Sequence, residues 1–353
     1  MMMAAGTGGH VFPALAVSKQ LQQQGHQVSW LATPTGMENR LLKQQNIPIY
    51  QINIQGVRGN GVLRKLIAPF KILAATWQAM RFMKQQKVDA VAGFGGYVAG
   101  PGGLAAKLLG IPVLIHEQNA VAGFTNTQLA RFSKTICQAF PNTFPAQNKV
   151  VTTGNPVRAD IVNITSPEQR YAAREAQQQV LRVLIVGGSL GAQALNKIVP
   201  QALTQLEMPL QVFHQCGQAN EEATRAAYAN ANPNVQVEVH AFVEDMAQAY
   251  AQADLIICRA GALTVTEVAT AGVAAIFVPL PSAVDDHQTQ NAKYLADTGA
   301  AKICPQASMT PDYLQQLLQP LMDRQVLKQM AIQARECAQV NATQRVVDLI
   351  QAL

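Results

Sequence analysis

The segment Cys258–Glu267 joins an apolar strand, a glycine and a helix start in an order that suits the binding of a pyrophosphate. The apolar run Asp254–Cys258 predicts a strand that leads into Gly261, and a helix is predicted to begin at about Ala262. The unpaired amides of a first helical turn then lie at the carboxyl end of the strand, where they can hold phosphate. Glu267 falls on the second turn, and its carboxylate can accept hydrogen bonds from both hydroxyls of a sugar diol.

A purely structural interpretation of this segment is equally open. Thr264 and Glu267 have the spacing of a capping box, in which the glutamate only closes the start of a helix. Short motifs of this kind also occur often by chance. The segment alone therefore leaves both interpretations open, and the rest of the chain has to distinguish them.

Three glycine-rich loops follow apolar runs elsewhere in the chain, at Gly6–His10, Gly93–Gly103 and Gly187–Gly191. Glycine allows positive φ and lets a ligand approach the backbone closely. One such loop is weak support for a site, because tight strand–helix turns use glycine anyway. Three of them, two in the first half and one in the second, favour a shared cleft for anionic or sugar ligands.

His10 directly follows the first of these loops and is expected at the start of a helix. A histidine without context is more often structural than catalytic. At a helix N-terminus, however, the dipole opposes protonation, so a neutral imidazole that can accept a proton is favoured. His10 is therefore a candidate general base.

A dinucleotide-binding dehydrogenase is a poor alternative. Its fingerprint needs a third glycine where this chain has Val11, and an acidic residue at the end of the next strand, where Thr33 stands. The chain has no Asp-x-Asp pair that would bind a metal, and Asp285-Asp286-His287 is interpreted as loop polarity or a substrate contact. No metal is expected.

The elements that must position these residues alternate between strand and helix, which predicts a parallel α/β fold. Strands are predicted near 1–4, 28–32, 49–54, 90–92, 113–115, 136–138 and 150–152 in the first half, and near 183–186, 211–213, 235–239, 255–258, 274–278 and 301–303 in the second. The polar stretch Val157–Gln179 is the predicted domain boundary and is expected to contain a short helix. We therefore expect two doubly wound domains, with ligands at the carboxyl ends of their strands. The stretch Asp323–Leu353 is expected to be helical throughout and to cross back onto the first domain.

The composition bounds the class of protein. A chain of 353 residues, 49% hydrophobic and 14% charged, fits about two globular domains. Five scattered cysteines suggest buried thiols in a reducing compartment. The start of the sequence lacks the basic residues of a signal peptide, and no apolar run reaches the ~18 residues of a membrane span. These features predict a protein of the cytoplasm.

The net charge of +6 is unevenly distributed. Residues 1–158 contain 15 Lys and Arg against three acidic residues, a net +12, whereas residues 159–353 contain 12 against 18, a net −6. The basic half is expected to meet something anionic, either nucleic acid or a membrane surface. Since this half has few aromatic side chains on which bases could stack, nucleic acid is the weaker alternative.

The stretch Leu63–Lys87 has apolar residues at helical spacing, interrupted by Pro69 and flanked by basic residues. It can be an ordinary helix packed on its sheet with a solvated basic face. It can also be a surface patch that rests on anionic lipid, where each basic residue contributes on the order of 1 kcal/mol. The residues of this predicted membrane patch are Arg64, Lys65, Leu66, Phe70, Lys71, Leu73 and Trp77.

Several segments together resemble the MurG family, bacterial transferases that add N-acetylglucosamine to undecaprenyl-pyrophosphoryl-MurNAc-pentapeptide (lipid I). They are GTGGHVFPALA from Gly6, GGYVAGPGGLAA from Gly95, HEQN from His116, GNPVR from Gly154 and CRAGALTV from Cys258. The similarity runs in order along essentially the whole chain. It implies a GT-B fold, with residues 1–158 as the acceptor- and membrane-binding domain and 159–332 as the UDP-GlcNAc-binding domain. The C-terminal helix, about 333–353, would pack on the first domain.

The resemblance also implies residue roles. Glu267 would hold the ribose, Val243 the uracil through its backbone, and Gln288 the sugar hydroxyls. Further donor contacts are implied for Thr7, Gly8, Gly9, Asn119, Arg158, Ser189, Ala262, Leu263 and Thr264. Acceptor contacts are implied for Tyr97, Gly102 and Gly103, while His116 and Glu117 would be structural or lie on the acceptor side.

The chemistry implied is inverting transfer without metal or other cofactor, with His10 as base. The implied partners are UDP-GlcNAc, lipid I and the anionic lipid at the cytoplasmic face of the membrane, with contacts to other cell-wall synthesis proteins. The chain departs from the family at its short first strand, at Leu190 and Gln193 in the third loop, and in the loop Pro281–Asp286. A sugar-nucleotide epimerase and a catalytically silent binding protein remain as alternatives.

Overall fold

The structure is a computed structural model that describes the chain except for Gln44, residues 55–61, 189–190, 282 and 284–285, and the side chains of 62–66. Strands in the described residues are β1 Met2–Ala4, β2 Trp30–Ala32, β3 Ile49–Gln51, β4 Val91–Gly95, β5 Val113–Glu117, β6 Thr135–Gln138, β7 Val150–Thr152, β8 Leu181–Val186, β9 Leu210–Gln215, β10 Val235–His240, β11 Leu255–Cys258, β12 Ala274–Phe277 and β13 Ala301–Ile303. Each lies at or close to a predicted strand.

Helices follow the strands along the chain. They are α1 Gly8–Gln23, α2 Glu38–Leu42, α3 Val62–Gln85, α4 Ala99–Leu109, α5 Phe124–Leu129, α6 Ala159–Val162, α7 Pro167–Ala176, α8 Gln193–Leu203, α9 Glu221–Ala227, α10 Met246–Gln252, α11 Ala262–Ala271, α12 His287–Ala296, α13 Pro311–Leu318, α14 Arg324–Glu336 and α15 Ala342–Gln351. No helix in the described part of the chain has the length and apolar character needed to span a membrane.

The chain divides into two compact units, residues 1–158 with 339–353, and residues 159–338. The described strands of the first unit form a parallel seven-stranded sheet in the order β3-β2-β1-β4-β5-β6-β7. Those of the second form a parallel six-stranded sheet in the order β10-β9-β8-β11-β12-β13. Each order reverses beside its first strand, so both sheets are doubly wound, as predicted.

Central strands are buried on both faces, which explains their uninterrupted apolar sequences. Every residue of β11 and β12 is buried. Parallel strands covered by helices on both sides have no solvent face, so apolar residues do not alternate with polar ones. This is why these strands are recognisable in the sequence despite their four-residue length.

The C-terminal stretch is not helical throughout, which corrects the expectation for Asp323–Leu353. Helix α14 ends at Glu336 and α15 begins at Ala342. The part that returns to the first unit begins at Gln339. There α15 packs on α1, and Val346 and Val347 are fully buried in that unit's core.

The stretch predicted as a domain boundary contains two helices, α6 and α7, and both belong to the second unit. Ser166 caps α7, and Pro167 occupies its first turn, where a proline is tolerated. Arg174 on this helix forms a buried ion pair with Asp254 and donates to the carbonyl of Ala251 at 2.6 Å. The polar composition of this stretch therefore reflects a buried polar network rather than a loose linker.

Candidate functional site

The start of α11 matches the geometry predicted for Cys258–Glu267. Gly261 is the N-cap residue and has no side chain that could cap the helix. The first hydrogen bond within the helix is donated by the amide of Val265 to the carbonyl of Gly261 at 2.9 Å. The amides of the first turn, Ala262 to Thr264, therefore lack acceptors within the helix. The capping-box interpretation is wrong, because Thr264 lies inside the helix rather than at its N-cap.

Glu267 lies on the second turn of α11 and is partly exposed. The hydroxyl of Tyr250, a buried residue of α10, donates to its Oε2 at 3.0 Å. A carboxylate can accept several hydrogen bonds at once. Its location one turn beyond the phosphate-binding amides is thus compatible with accepting hydrogen bonds from a ribose.

The glycine loop after β8 is held by a side chain that the sequence analysis missed. The buried Gln215 accepts from the amide of Gly188 at 3.0 Å and donates to the carbonyls of Gly188 at 3.1 Å and Ala241 at 2.9 Å. Its amide thereby joins this loop to the segment before Val243, which is itself buried. Ser189 lies outside the described residues.

Gln288 lies in the first turn of α12, at the end of the loop that follows β12. Its Oε1 accepts from the amide of Leu280 at 2.9 Å. Arg259 donates to the carbonyl of Val278 at 3.0 Å and to Oε1 of Gln306 at 2.6 Å, which fixes the same stretch from the other side. Gln288 therefore supports the loop after β12 through the oxygen of its amide.

In the first unit, the loop Gly6–His10 leads from β1 into α1. Thr7 is the N-cap and Gly6 has φ +97°, a conformation that favours glycine. The amide of His10 donates to the carbonyl of Thr7 at 3.1 Å, while the amides of Gly8 and Gly9 precede the first hydrogen bond of the helix. This end of α1 presents donors, as the start of α11 does.

His10 is half-buried, and its ring lies against the backbone of Gly95. A Cβ at Gly95 would stand 2.8 Å from Nδ1 and Cε1 of that ring, and the φ of Gly95 is +105°. Nδ1 of His10 lies 3.0 Å from Oε1 of Gln118, which is 2% exposed. The loop glycine and the buried amide together hold the imidazole in one place.

His116 and Glu117 are buried and form hydrogen bonds with other groups of the protein. His116 is fully buried, and burial lowers its pKa to about 4 against the raising effect of a hydrogen bond to the carbonyl of Gly154. Glu117 accepts from the amide and side chain of Asn119, from the amide of Gly123 and from Asn126. These contacts favour structural roles for both, with Glu117 shaping the loop that presents Asn119.

Gly102 and Gly103 lie inside α4 and face the core. A Cβ at Gly102 would stand 2.4 Å from Sδ of Met3, and one at Gly103 would stand 2.5 Å from Leu129. Both glycines therefore serve close packing, which argues against the acceptor contacts expected of them. Tyr97, in the loop before this helix, is 54% exposed and free to meet a ligand.

Helix α3 turns its large apolar residues outward. Phe70, Leu73 and Trp77 are 73%, 62% and 64% exposed. The face toward the core consists of small residues and a methionine instead, Ala75, Ala79 and Met83 among them. Lys71 is exposed on the same helix, whereas the side chains of Arg64, Lys65 and Leu66 lie outside the described residues. The helix therefore packs on the core with one face and exposes large apolar residues, together with Lys71, on another.

Two further features bear on the second unit. A cavity of about 390 Å³ lies beside α10, lined by residues such as Arg182, Gln211, Phe213 and Gln248. It includes none of the predicted donor residues, so the candidate site rests on the start of α11 and the loops around it. Among the described residues, no cluster of three or more His, Cys, Asp or Glu is suited to hold a metal ion.

Comparison with known proteins covers both units. Residues 1–138 match the glycosyltransferase family 28 N-terminal domain, and residues 182–352 match the family 28 C-terminal domain. The chain is 75% identical over 353 residues to the UDP-N-acetylglucosamine--N-acetylmuramyl-(pentapeptide) pyrophosphoryl-undecaprenol N-acetylglucosamine transferase of Acinetobacter baumannii (strain ACICU), covering 100% of this chain and 97% of that one.

A more distant relative and a solved structure agree. The transferase of the same name from Marinobacter nauticus is 50% identical, over 99% of this chain and 95% of its own. The crystal structure of Acinetobacter baumannii MurG is 72% identical, with a TM-score of 0.89 over 100% of this chain and 99% of that one. The chain therefore belongs to the MurG family of glycosyltransferases, within glycosyltransferase family 28, and has the GT-B fold.

Proposed function

We propose that the chain transfers N-acetylglucosamine from UDP-GlcNAc to the 4-hydroxyl of MurNAc in undecaprenyl-pyrophosphoryl-MurNAc-pentapeptide. The observation that carries this proposal is the 75% identity, without interruption of either unit, to a transferase named for this donor and acceptor. At that level of identity the residues that select substrates rarely diverge as a set. The geometry of each unit supports the roles proposed below for particular groups.

The donor is held by the second unit in this proposal. The free amides of Ala262, Leu263 and Thr264 and the loop at Gly188 would bind the diphosphate, whose negative charge suits the start of a helix. Glu267 would accept from the ribose hydroxyls while Tyr250 holds its other oxygen. The backbone at Val243 would contact the uracil, and the side-chain amide of Gln288 would contact the sugar.

The chemistry is a single displacement with inversion. The 4-hydroxyl oxygen of MurNAc forms a bond to the anomeric carbon as the bond from that carbon to the diphosphate breaks. His10 takes the hydroxyl proton, and UDP departs with the bonding electrons. The negative charge that grows on the diphosphate is stabilised by the fixed amides at the start of α11, which need no rearrangement during the reaction.

Attachment to an anionic membrane surface is proposed for the exposed apolar face of α3. Phe70, Leu73 and Trp77 would enter the interfacial region, and Lys71 with the other basic residues of this helix would meet lipid phosphates. A lipid-linked acceptor makes such attachment useful, since enzyme and acceptor are then confined to one surface. The attachment is reversible, because several weak contacts contribute and none spans the bilayer.

The assay of product from labelled UDP-GlcNAc and a lipid I analogue tests the activity, with EDTA present and absent. We expect a disaccharide-linked lipid product under both conditions. Conversion of the donor sugar without transfer would point to an epimerase, and binding of the donor without any conversion would point to a silent binding protein. Product that forms only without EDTA would show that a divalent metal takes part.

Sedimentation with vesicles tests the membrane proposal. We expect Phe70→Ser, Leu73→Ser and Trp77→Ser together to abolish most binding to phosphatidylglycerol vesicles, and salt to weaken binding of the wild type. The matched control is Val326→Ser with Val340→Ser, which removes two apolar residues that are each 40% exposed elsewhere. Equal binding by the triple variant and the control would contradict the proposal.

A further inference from the structure

We infer that Gln118 is a positioning residue that fixes the tautomer of His10, so that the proton stays on Nδ1 and the lone pair of Nε2 faces the acceptor. The inference rests on the proposed function for its consequence, but its structural content stands on hydrogen-bond geometry alone. The chain of contacts runs from the carbonyl of Gly154 through His116 and Gln118 to His10.

Two backbone carbonyls determine which nitrogen atoms in this series of hydrogen bonds carry a proton. Nε2 of His116 lies 3.0 Å from the carbonyl oxygen of Gly154. A carbonyl can only accept, so Nε2 of His116 carries a proton and donates it. His116 is fully buried and stacks on Phe94 at 5.2 Å between ring centroids, an environment that keeps the imidazole neutral. Its Nδ1 is therefore an acceptor.

The orientation of the Gln118 amide follows from the second carbonyl. One end of this amide lies 3.2 Å from the carbonyl oxygen of His116 and 3.2 Å from Nδ1 of the same residue. Both of these neighbours are acceptors, so this end must be the NH₂ group. The oxygen of the amide consequently points the other way, toward His10.

The orientation of the Gln118 amide determines which ring nitrogen of His10 carries the proton. Its Nδ1 lies 3.0 Å from Oε1 of Gln118, which offers only lone pairs. Nδ1 must therefore be the protonated nitrogen, and in the neutral imidazole Nε2 is then unprotonated. Among the residues that the structure describes, none is within hydrogen-bond distance of that nitrogen, so its lone pair is available to a substrate.

The arrangement has a function in the reaction. A base must hold its lone pair toward the hydroxyl it deprotonates, and histidine side chains free in water favour the opposite tautomer, with the proton on Nε2. Once Nε2 has taken the proton of the 4-hydroxyl, Nδ1–H continues to donate to Oε1 of Gln118, which stabilises the imidazolium. Because Gln118 is neutral, it sets the tautomer without placing a charge beside the base.

Nitrogen NMR of the wild-type histidines tests the tautomer directly. We expect the ring nitrogens of His10, assigned by the loss of their signals in His10→Gln, to show a protonated Nδ1 and an unprotonated Nε2. The reverse pattern in the wild-type enzyme would overturn the inference, whatever the activity of any variant. This measurement needs no acceptor substrate, so it stays informative even if the proposed transfer reaction is not observed.

Kinetics of Gln118→Leu test the consequence. We expect kcat to fall by about 10- to 100-fold with little change in donor KM, together with a shift of His10 toward the Nε2–H form. Gln138→Leu is the matched control, because Gln138 is a buried glutamine of the neighbouring strand that bonds Thr152 and Phe144 instead. Equal loss of kcat in Gln118→Leu and Gln138→Leu would show that Gln118 stabilises the structure and does not position His10.

Discussion

The starts of α1 and α11 have the same kind of N-terminal backbone but carry different candidate side chains. Both follow a buried parallel strand, both have an N-cap that makes no side-chain cap, and both expose amides in their first turn. In α1 the candidate side chain is His10, in the third helical position. In α11 it is Glu267, one turn further along.

The position of the side chain explains the difference in use. His10 stands in the first turn of α1, beside the amides of Gly8 and Gly9 that precede the first hydrogen bond of the helix. Glu267 stands beyond them, where a carboxylate does not compete with a bound diphosphate for the same amides. In the proposed reaction, the same local fold would provide the base in one unit and the group that binds the ribose hydroxyls in the other.

The largest effect is expected from His10→Ala. Loss of the base should lower kcat by about 10²- to 10⁴-fold and leave the dissociation constant of UDP-GlcNAc nearly unchanged. Steady-state kinetics and calorimetric donor binding measure the two quantities. His26→Ala, at an exposed histidine after the same helix, is the control. If His10→Ala lowered the affinity for UDP-GlcNAc by as much as it lowered kcat, His10 would act in donor binding rather than as the base.

Glu267→Ala should act on the donor instead. Two hydrogen bonds from ribose to a carboxylate contribute about 1.5–3 kcal/mol each, or about 3–6 kcal/mol together, so donor KM should rise by about 10²- to 10⁴-fold. The wild type should also discriminate against a deoxyribose donor, and the variant should lose this discrimination. Asp297→Ala removes an exposed carboxylate of the same unit and serves as control. An unchanged donor KM would exclude Glu267 from the ribose site.

Tyr250→Phe should have a smaller effect of the same kind. It removes the hydroxyl that donates to Oε2 of Glu267, and one hydrogen bond of about 1 kcal/mol corresponds to about a fivefold rise in donor KM. Tyr294→Phe removes a hydroxyl that donates to the carbonyl of Cys337 and is the control. If both variants change donor KM equally, Tyr250 does not act through Glu267.

The two units should also share an acid sensitivity. His116 and His214 are both buried, and burial lowers the pKa of each to about 4 from an ordinary 6.5. The unfolded chain therefore binds more protons between these values, so the free energy of unfolding should be largest above pH 6.5 and fall as the pH drops toward 4. Urea unfolding across this range measures the slope.

His214→Gln should flatten part of that pH dependence. In the second unit, His214 contacts Tyr228 at 2.9 Å and Asn196 at 3.1 Å, and both contacts involve the neutral ring. The exposed His26→Gln should leave the slope unchanged. A slope identical in the wild type and both variants would show that His214 does not contribute to the acid sensitivity, which would then come from His116 or from carboxylates.

Strand positions and the two helix starts were predictable because each depends on local sequence. Uninterrupted apolar runs mark buried parallel strands, and glycine before a helix marks a turn that needs positive φ or an open N-terminus. Gly261 and Ala262 stand where predicted. The candidate residues His10 and Glu267 were found from the same local patterns.

Partners distant in sequence were not predictable from spacing. His10 meets Gln118 across 108 positions, and Arg174 meets Asp254 across 80. Gln118 stands within the HEQN segment that the resemblance uses, yet only the fold shows that its amide faces His10. Gly102 and Gly103 show the opposite error, since a glycine-rich sequence can serve close packing of a helix as well as a ligand loop.

The return of residues 339–353 to the first unit affects the order in which the protein can form during synthesis. The second unit is one continuous stretch and is complete once residue 338 has left the ribosome. The first unit, although translated earlier, lacks α15, whose Val346 and Val347 are buried in its core, until residues 342–351 have been synthesised. Folding from the N-terminus forward, the usual order for multidomain chains, therefore cannot finish the first unit before the second. The half of the protein that contains His10 is completed last.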